Sequence, residues 1–347
     1  MDIRYNQNMP LVSVLMPCYN AEETLPEALE SLVSQTLPDF EVIAVDDGSS
    51  DASPEILRRW ELQDPRFRVL TQPHAGIVRA LKRGLAACRA PLIARMDADD
   101  RSHACRLEKQ VRYLETHPAV ALVSCLVRGY QPGRGLGPGF VVYIEWLNSL
   151  VSDADIRREI FIESPLVHPS ILIRREWLDR AGGYQDCGWA EDYDLWLRLY
   201  LAGARFAKVP EVLLDWRESP QRLTRRDPRY SLENFLRAKA HYLARGPLQG
   251  KKALFIWGAG MTGRRLSKHL LRQGLPLAAF IDIDPKKIGR TLRGLPILAP
   301  EDLLPRWDQA IAPALLVTVG ARGAKRLIRE FLGTQGLVEG CDWWCAA

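Results

Sequence analysis

The stretch APLIARMDADD, residues 90–100, decides how the chain is read. A short apolar run leads into Arg95 and then into three carboxylates, Asp97, Asp99 and Asp100, within four positions. Like charges that close repel, and each resists ionisation unless water, a cation or a basic partner compensates. Two readings are open on this segment alone. At the end of a buried strand, a divalent metal carrying an anionic ligand reconciles the acids; otherwise the turn is solvated and one aspartate caps the next helix.

Working outward, the same alternation recurs. LVSVLMP reads as a strand, and AEETLPEALESLVSQT places Leu25, Ala28, Leu29, Leu32 and Val33 on one helical face. FEVIAV is a second strand, DDGSSDAS a loop, and Ser53–Pro54 an N-cap and first-turn pair for the next helix. FRVLT, then GIVRALKRGLAAC, then PLIARM complete a strand, helix and strand. Strands separated by helices of this length imply βαβ units and a mostly parallel sheet. Ligands of such sheets bind beyond the carboxyl ends of the strands, so Pro17–Asn20, Asp46–Asp51 and Asp97–Asp100 are expected to line one crevice. GYQPGRGLGPGF, residues 129–140, reads as a flap near that crevice or as a plain surface excursion. HPSILIRR is a further strand, and AEDYDLWLRLYLAG a helix ending at Gly203 with Asp192 in its first turn.

The bulk numbers bound the function. The chain has 347 residues, enough for two domains, and its 47% hydrophobic and 26% charged residues are those of a globular protein. A net charge of +5, without a dense basic run interleaved with aromatics, argues against nucleic acid as partner. The N-terminal residues lack a signal-peptide pattern, and the apolar segments are too short to cross a bilayer. Seven irregularly spaced cysteines form no CxxC pair, so a reduced, cytoplasmic setting is expected. DWRESPQRLTRR leaves peripheral contact with a membrane open, although a solvated loop is the preferred reading.

Taken together, PCYN (17–20), DDGSSD (46–51), HAGIVRALKRGL (74–85), DADD (97–100), HPS (168–170) and EDYDLWLRL (191–199) resemble, in order and spacing, the family 2 glycosyltransferases. The resemblance spans the first two thirds of the chain. It implies an α/β GT-A fold, a nucleotide-diphosphate sugar donor with a UDP-sugar as default, and inversion at the anomeric carbon. It also implies Mn²⁺ or Mg²⁺, with Asp99 as ligand and Asp97 either supporting the metal or contacting the donor ribose. Asp46 would meet the base, Pro17 and Tyr19 would shape its pocket, and Arg79 would approach the diphosphate or else be solvated. Asp47 and Asp51 read as Asx-turn residues stabilising their loop, and Asp100 as a helix cap outside the site. Asp192 looks like the base that deprotonates the acceptor hydroxyl, with Glu191 orienting it. His168 is a candidate metal ligand, donor contact or core histidine; Trp189 a candidate for stacking on the acceptor sugar; Trp196, at helical spacing, core. The acceptor implied is a growing glycan, often lipid-linked.

From residue 248 the pattern restarts, giving expected domains at 1–247 and 248–347. GAGMTG, residues 258–263, lies between a strand and a helix, and Asp282 follows about 20 residues later, as in a dinucleotide fingerprint. Gly258, Gly260, Gly263 and Asp282 are therefore candidate contacts for NAD(P) or another nucleotide in a smaller Rossmann-like α/β domain. Two competing readings of the whole chain remain: an NAD(P)-dependent oxidoreductase or epimerase centred on that turn, and a non-catalytic scaffold that binds a nucleotide-sugar without consuming it.

Overall fold

The computed structural model describes residues 9–321 and 323–347. Two compact units emerge. The first runs through Ile156 and adds Pro165–Cys187 and Glu191–Arg225; the second gathers Arg157–Ser164, Gly188–Ala190 and Arg226–Ala347. The helix Leu232–Arg245, placed by sequence before the break at 247/248, thus falls within the second unit. Its Glu233 accepts from His269 Nε2 at 2.9 Å on the helix Met261–Arg272, and its buried Lys239 Nζ donates to the Ile162 carbonyl at 2.6 Å.

The first unit is built on eight strands: β1 (Val12–Cys18), β2 (Phe40–Asp46), β3 (Phe67–Thr71), β4 (Leu92–Arg95), β5 (Arg101–Ser102), β6 (Leu122–Tyr130), β7 (Leu172–Arg174) and β8 (Phe206–Arg217), in the order β3-β2-β1-β4-β7-β6-β8-β5. The expected parallel sheet is its β3-β2-β1-β4 half. Every position of β1 and β2 is buried, which is why they read as unbroken apolar runs. Beyond β4 the sheet turns mixed, because β7 runs antiparallel to both β4 and β6. Sequence reading missed β8 and the helix Arg106–Thr116. The Gly/Pro-rich stretch is partly ordered: β6 continues through Tyr130 and a helix starts at Pro138.

Register sets the site. Cys18 lies opposite Asp46 and Leu15 opposite Arg95, while Met96 N donates to the Leu15 carbonyl, so β1, β2 and β4 end along one edge. The helix Ile77–Ala87 lies flush on β1 and β2 because Gly84 has no side chain; a Cβ there would stand 2.3 Å from Leu15 Cδ1. Among the described residues, no helix is long and apolar enough to cross a membrane.

The second unit carries β9 (Ala253–Trp257), β10 (Leu277–Ile281), β11 (Thr291–Leu292), β12 (Leu295–Leu298), β13 (Pro313–Val317) and β14 (Trp343–Cys345), ordered β11-β12-β10-β9-β13-β14. Its pairings are parallel except β11 with β12. Phe255, Trp257, Ile281, Leu315 and Trp343 form the heart of its core.

Candidate active site

The loops after β1 and β2 build one wall. Pro17 is buried at the end of β1, while Tyr19 is 48% exposed and stacks on His74 with ring centroids 4.1 Å apart. Asp46 is buried, its Oδ1 accepting the Ser49 amide at 3.2 Å. Asn20, in the left-handed region at φ 47°, accepts from Ser50 N, and Asp51 accepts from Glu22 N and Ser53 N, so the two loops brace each other. Ser53 is the first residue of its helix instead of the cap, and its hydroxyl takes the Ala21 amide.

Asp47 does more than the expected Asx turn. Its carboxylate accepts from Gln72 Nε2 and from the Ala75 and Gly76 amides at 2.6–2.9 Å, and pairs with His74 Nδ1 at 2.9 Å. His74, which sequence reasoning had not singled out as a site residue, is thereby held against Tyr19. Charged hydrogen bonds contribute about 1.5–3 kcal/mol each. Asp47→Ala is expected to lower unfolding stability by about 2–3 kcal/mol in a urea titration, and to weaken nucleotide binding by releasing the stacked pair. Arg79 is exposed in the first turn of the helix that follows this loop.

Carboxylate oxygens of Asp97, Asp99 and Asp100 lie within 4.8 Å of one another. Arg95, buried at the end of β4, pairs with Asp97. Burial and the Asp97 charge push Asp99 up to about 6. Asp100 is buried and held well above the usual carboxylate range by burial and by its two acidic neighbours. Its Oδ1 accepts the Arg217 amide at 2.8 Å, whereas its Oδ2 has no hydrogen-bond partner. Sequence reading made Asp100 a helix cap, but the helix Arg106–Thr116 is preceded by Cys105 without a side-chain cap. Three clustered carboxylates with an orphaned buried oxygen are a donor set that fits a hard divalent cation, Mg²⁺ or Mn²⁺.

The end of β8 underpins this turn. Arg217 Nε donates to the Asp99 carbonyl at 2.9 Å and its Nη2 pairs with Glu27 at 2.7 Å. Arg222 lies 4.1 Å over the Trp216 ring, pairs with Glu218 at 3.2 Å, and its charge opposes the upward shifts of Asp99 and Asp100. Of the segment expected as a solvated loop, the first part is packed against this turn, with Asp215, Trp216 and Glu218 buried, while Pro220, Gln221 and Leu223–Arg226 are exposed.

Glu191 and Asp192 open the helix Glu191–Leu201, Glu191 at 2% exposure. Burial and the Glu191 charge raise Asp192 to about 7, while Arg95 opposes the rise. The helix start is anchored by Asp194 with Arg198 at 2.8 Å, and Arg198 in turn donates to the Gly183 carbonyl. His168 is not among the clustered carboxylate ligands. It is buried, its Nε2 is 2.8 Å from the Tyr184 hydroxyl, and burial keeps its pKa well below the usual imidazole value. Trp196 is core, as expected; Trp189 is 8% exposed and packs on His241 and Tyr242, so it presents no open face for stacking.

In the second unit Gly258 has φ 114°, and a Cβ on Gly263 would stand 1.8 Å from the Gly258 carbonyl oxygen, which explains both glycines; Gly260 caps the helix that follows. Asp282 is already engaged: it accepts from Ala259 N and Asp284 N and pairs with Lys287 at 3.0 Å. The carboxylate expected to read a ribose instead ties down its own turn.

The fold is of the GT-A type: S. aureus TarS 1–349 in complex with UDP-GlcNAc superposes with TM-score 0.57 at 18% identity, over 76% of this chain and 72% of that one. The chain belongs to glycosyl transferase family 2, whose model matches residues 13–182. Amylovoran biosynthesis glycosyltransferase AmsE of Erwinia amylovora is 34% identical over 62% of this chain and 79% of its own length. Putative glycosyltransferase EpsE of Bacillus subtilis is 29% identical over 82% and 97%. Membership in this family displaces the oxidoreductase and scaffold readings.

Proposed function

We propose that the protein is an inverting transferase that moves a sugar from a nucleoside-diphosphate donor, UDP-linked, to a hydroxyl of a growing envelope polysaccharide. The observation that carries the reading is the Asp97–Asp99–Asp100 cluster just past the end of β4, in a chain that belongs to glycosyl transferase family 2. UDP-GlcNAc in the TarS complex supports the donor class, and the amylovoran relative supports the acceptor class.

In this mechanism the base packs against Tyr19 and His74 with Asp46 beneath. A divalent cation, when bound by Asp97, Asp99 and Asp100, supplies positive charge for the departing diphosphate. Asp192 accepts the acceptor hydroxyl proton as that oxygen attacks the anomeric carbon from the face opposite the diphosphate. Glu191 keeps Asp192 basic enough to do so.

The test is the stereochemistry of slow donor turnover. Incubated with α-linked UDP-sugars, the protein should release UDP and a sugar first seen by NMR as the β anomer. Release of the α anomer would overturn inversion, and absence of UDP release with every donor would overturn the function.

A further inference from the structure

Arg95 is a charged side chain at 2% exposure, and a buried guanidinium is costly unless compensated. Its backbone is pinned on both sides: its amide donates to the Ile171 carbonyl at 3.1 Å and its carbonyl accepts from Arg106 Nη2 at 3.4 Å. The side chain is therefore delivered to a fixed place at the end of β4. There it pairs with Asp97, while its Nε has no hydrogen-bond partner. Its charge is felt by Asp99, Asp192, Tyr184 and His168, and Glu191 acts on it in return. The pair is made by the residue two positions before Asp97, so the cation is fixed beside the first acid of the Asp97–Asp99–Asp100 cluster.

We infer that Arg95 is a positioning residue: its guanidinium orients the Asp97 carboxylate within the acidic turn, and with it the cluster that would take the divalent cation. The inference rests on the glycosyl-transfer reading above. Asp97 is met by one guanidinium nitrogen, Nη1, at the end of a rigid planar group, whereas a lysine ammonium supplies the charge on a shorter, more flexible stem.

The experiment compares wild type, Arg95→Lys and Arg95→Met by titration with UDP, with and without Mn²⁺, and by kcat for donor turnover. Metal-free UDP binding, which depends on Tyr19, His74 and Asp46, should be the same in all three and reports an intact fold. The gain in UDP affinity on adding Mn²⁺ should fall tenfold or more in Arg95→Met and by an intermediate factor in Arg95→Lys, with kcat in the same order. If either variant matches wild type in both quantities, the inference is overturned; where Arg95→Met yields no folded protein, Arg95→Lys decides alone. Wild-type protein that binds no UDP under either condition would instead overturn the reading beneath it.

Discussion

Asp192→Asn is expected to lower kcat by about 10²–10⁴-fold, the range for losing a general base, while donor affinity stays within about twofold. The side chain lies in the first turn of its helix and is partly buried beside Glu191. Asparagine keeps the size and the acceptor oxygen that takes the Tyr193 amide at 2.7 Å, so the fold should be undisturbed. What it cannot do is take a proton. The pH dependence supplies a second signature. A base works when deprotonated, and burial with the Glu191 charge lifts Asp192 to about 7. Turnover should therefore rise with pH through about 7 and fall tenfold per unit below it, an acid limb that Asp192→Asn should abolish along with most of the rate. A variant retaining full turnover would remove Asp192 from the mechanism.

Asp99→Asn should erase the effect of Mn²⁺ on donor binding, by about 100-fold or more, and reduce kcat with it. Asp99, like Asp97, is partly exposed, and its backbone carbonyl is fixed by Arg217 and Tyr130. The substitution thus removes charge without freeing the turn. Cation binding needs the carboxylate ionised, and Asp99 is pushed up to about 6. The Mn²⁺ effect in wild type should consequently weaken as pH drops below about 6. Unchanged Mn²⁺ dependence in the variant would contradict a cation held at this cluster.

Much of the edge was legible because its physics is local. Buried parallel strands write themselves as apolar runs, so the place of Asp46, Asp97 and Asp99 at or just past strand ends could be read from the sequence, whereas Asp192, at a helix start, was singled out only through the resemblance. Partners set by tertiary contact were not legible. His74 follows a proline in a polar loop and reads as solvated; only the buried Asp47 reveals that it is held. Asp100 before a polar segment looks like a cap, and its role appears only when Arg217 arrives from 117 positions away. β8 was hidden by Pro210–Glu211 in the middle of the strand, where its pairing with β6 slips register. For His168 the residue type left metal ligand, donor contact and core histidine open, and only the fold shows a buried ring with Nε2 on the Tyr184 hydroxyl. Asp282 likewise sits where a fingerprint acid should, yet Lys287, five residues on, claims it.

The most direct measurement is calorimetric titration of the full chain with UDP-, GDP- and dTDP-sugars, with and without Mn²⁺, repeated on Asp99→Asn. Binding of a UDP-sugar that tightens with Mn²⁺, and loses that gain in the variant, is the result expected of a donor site at the β1, β2 and β4 edge. Binding of no nucleotide-sugar, or Mn²⁺-enhanced binding that survives Asp99→Asn undiminished, would contradict it.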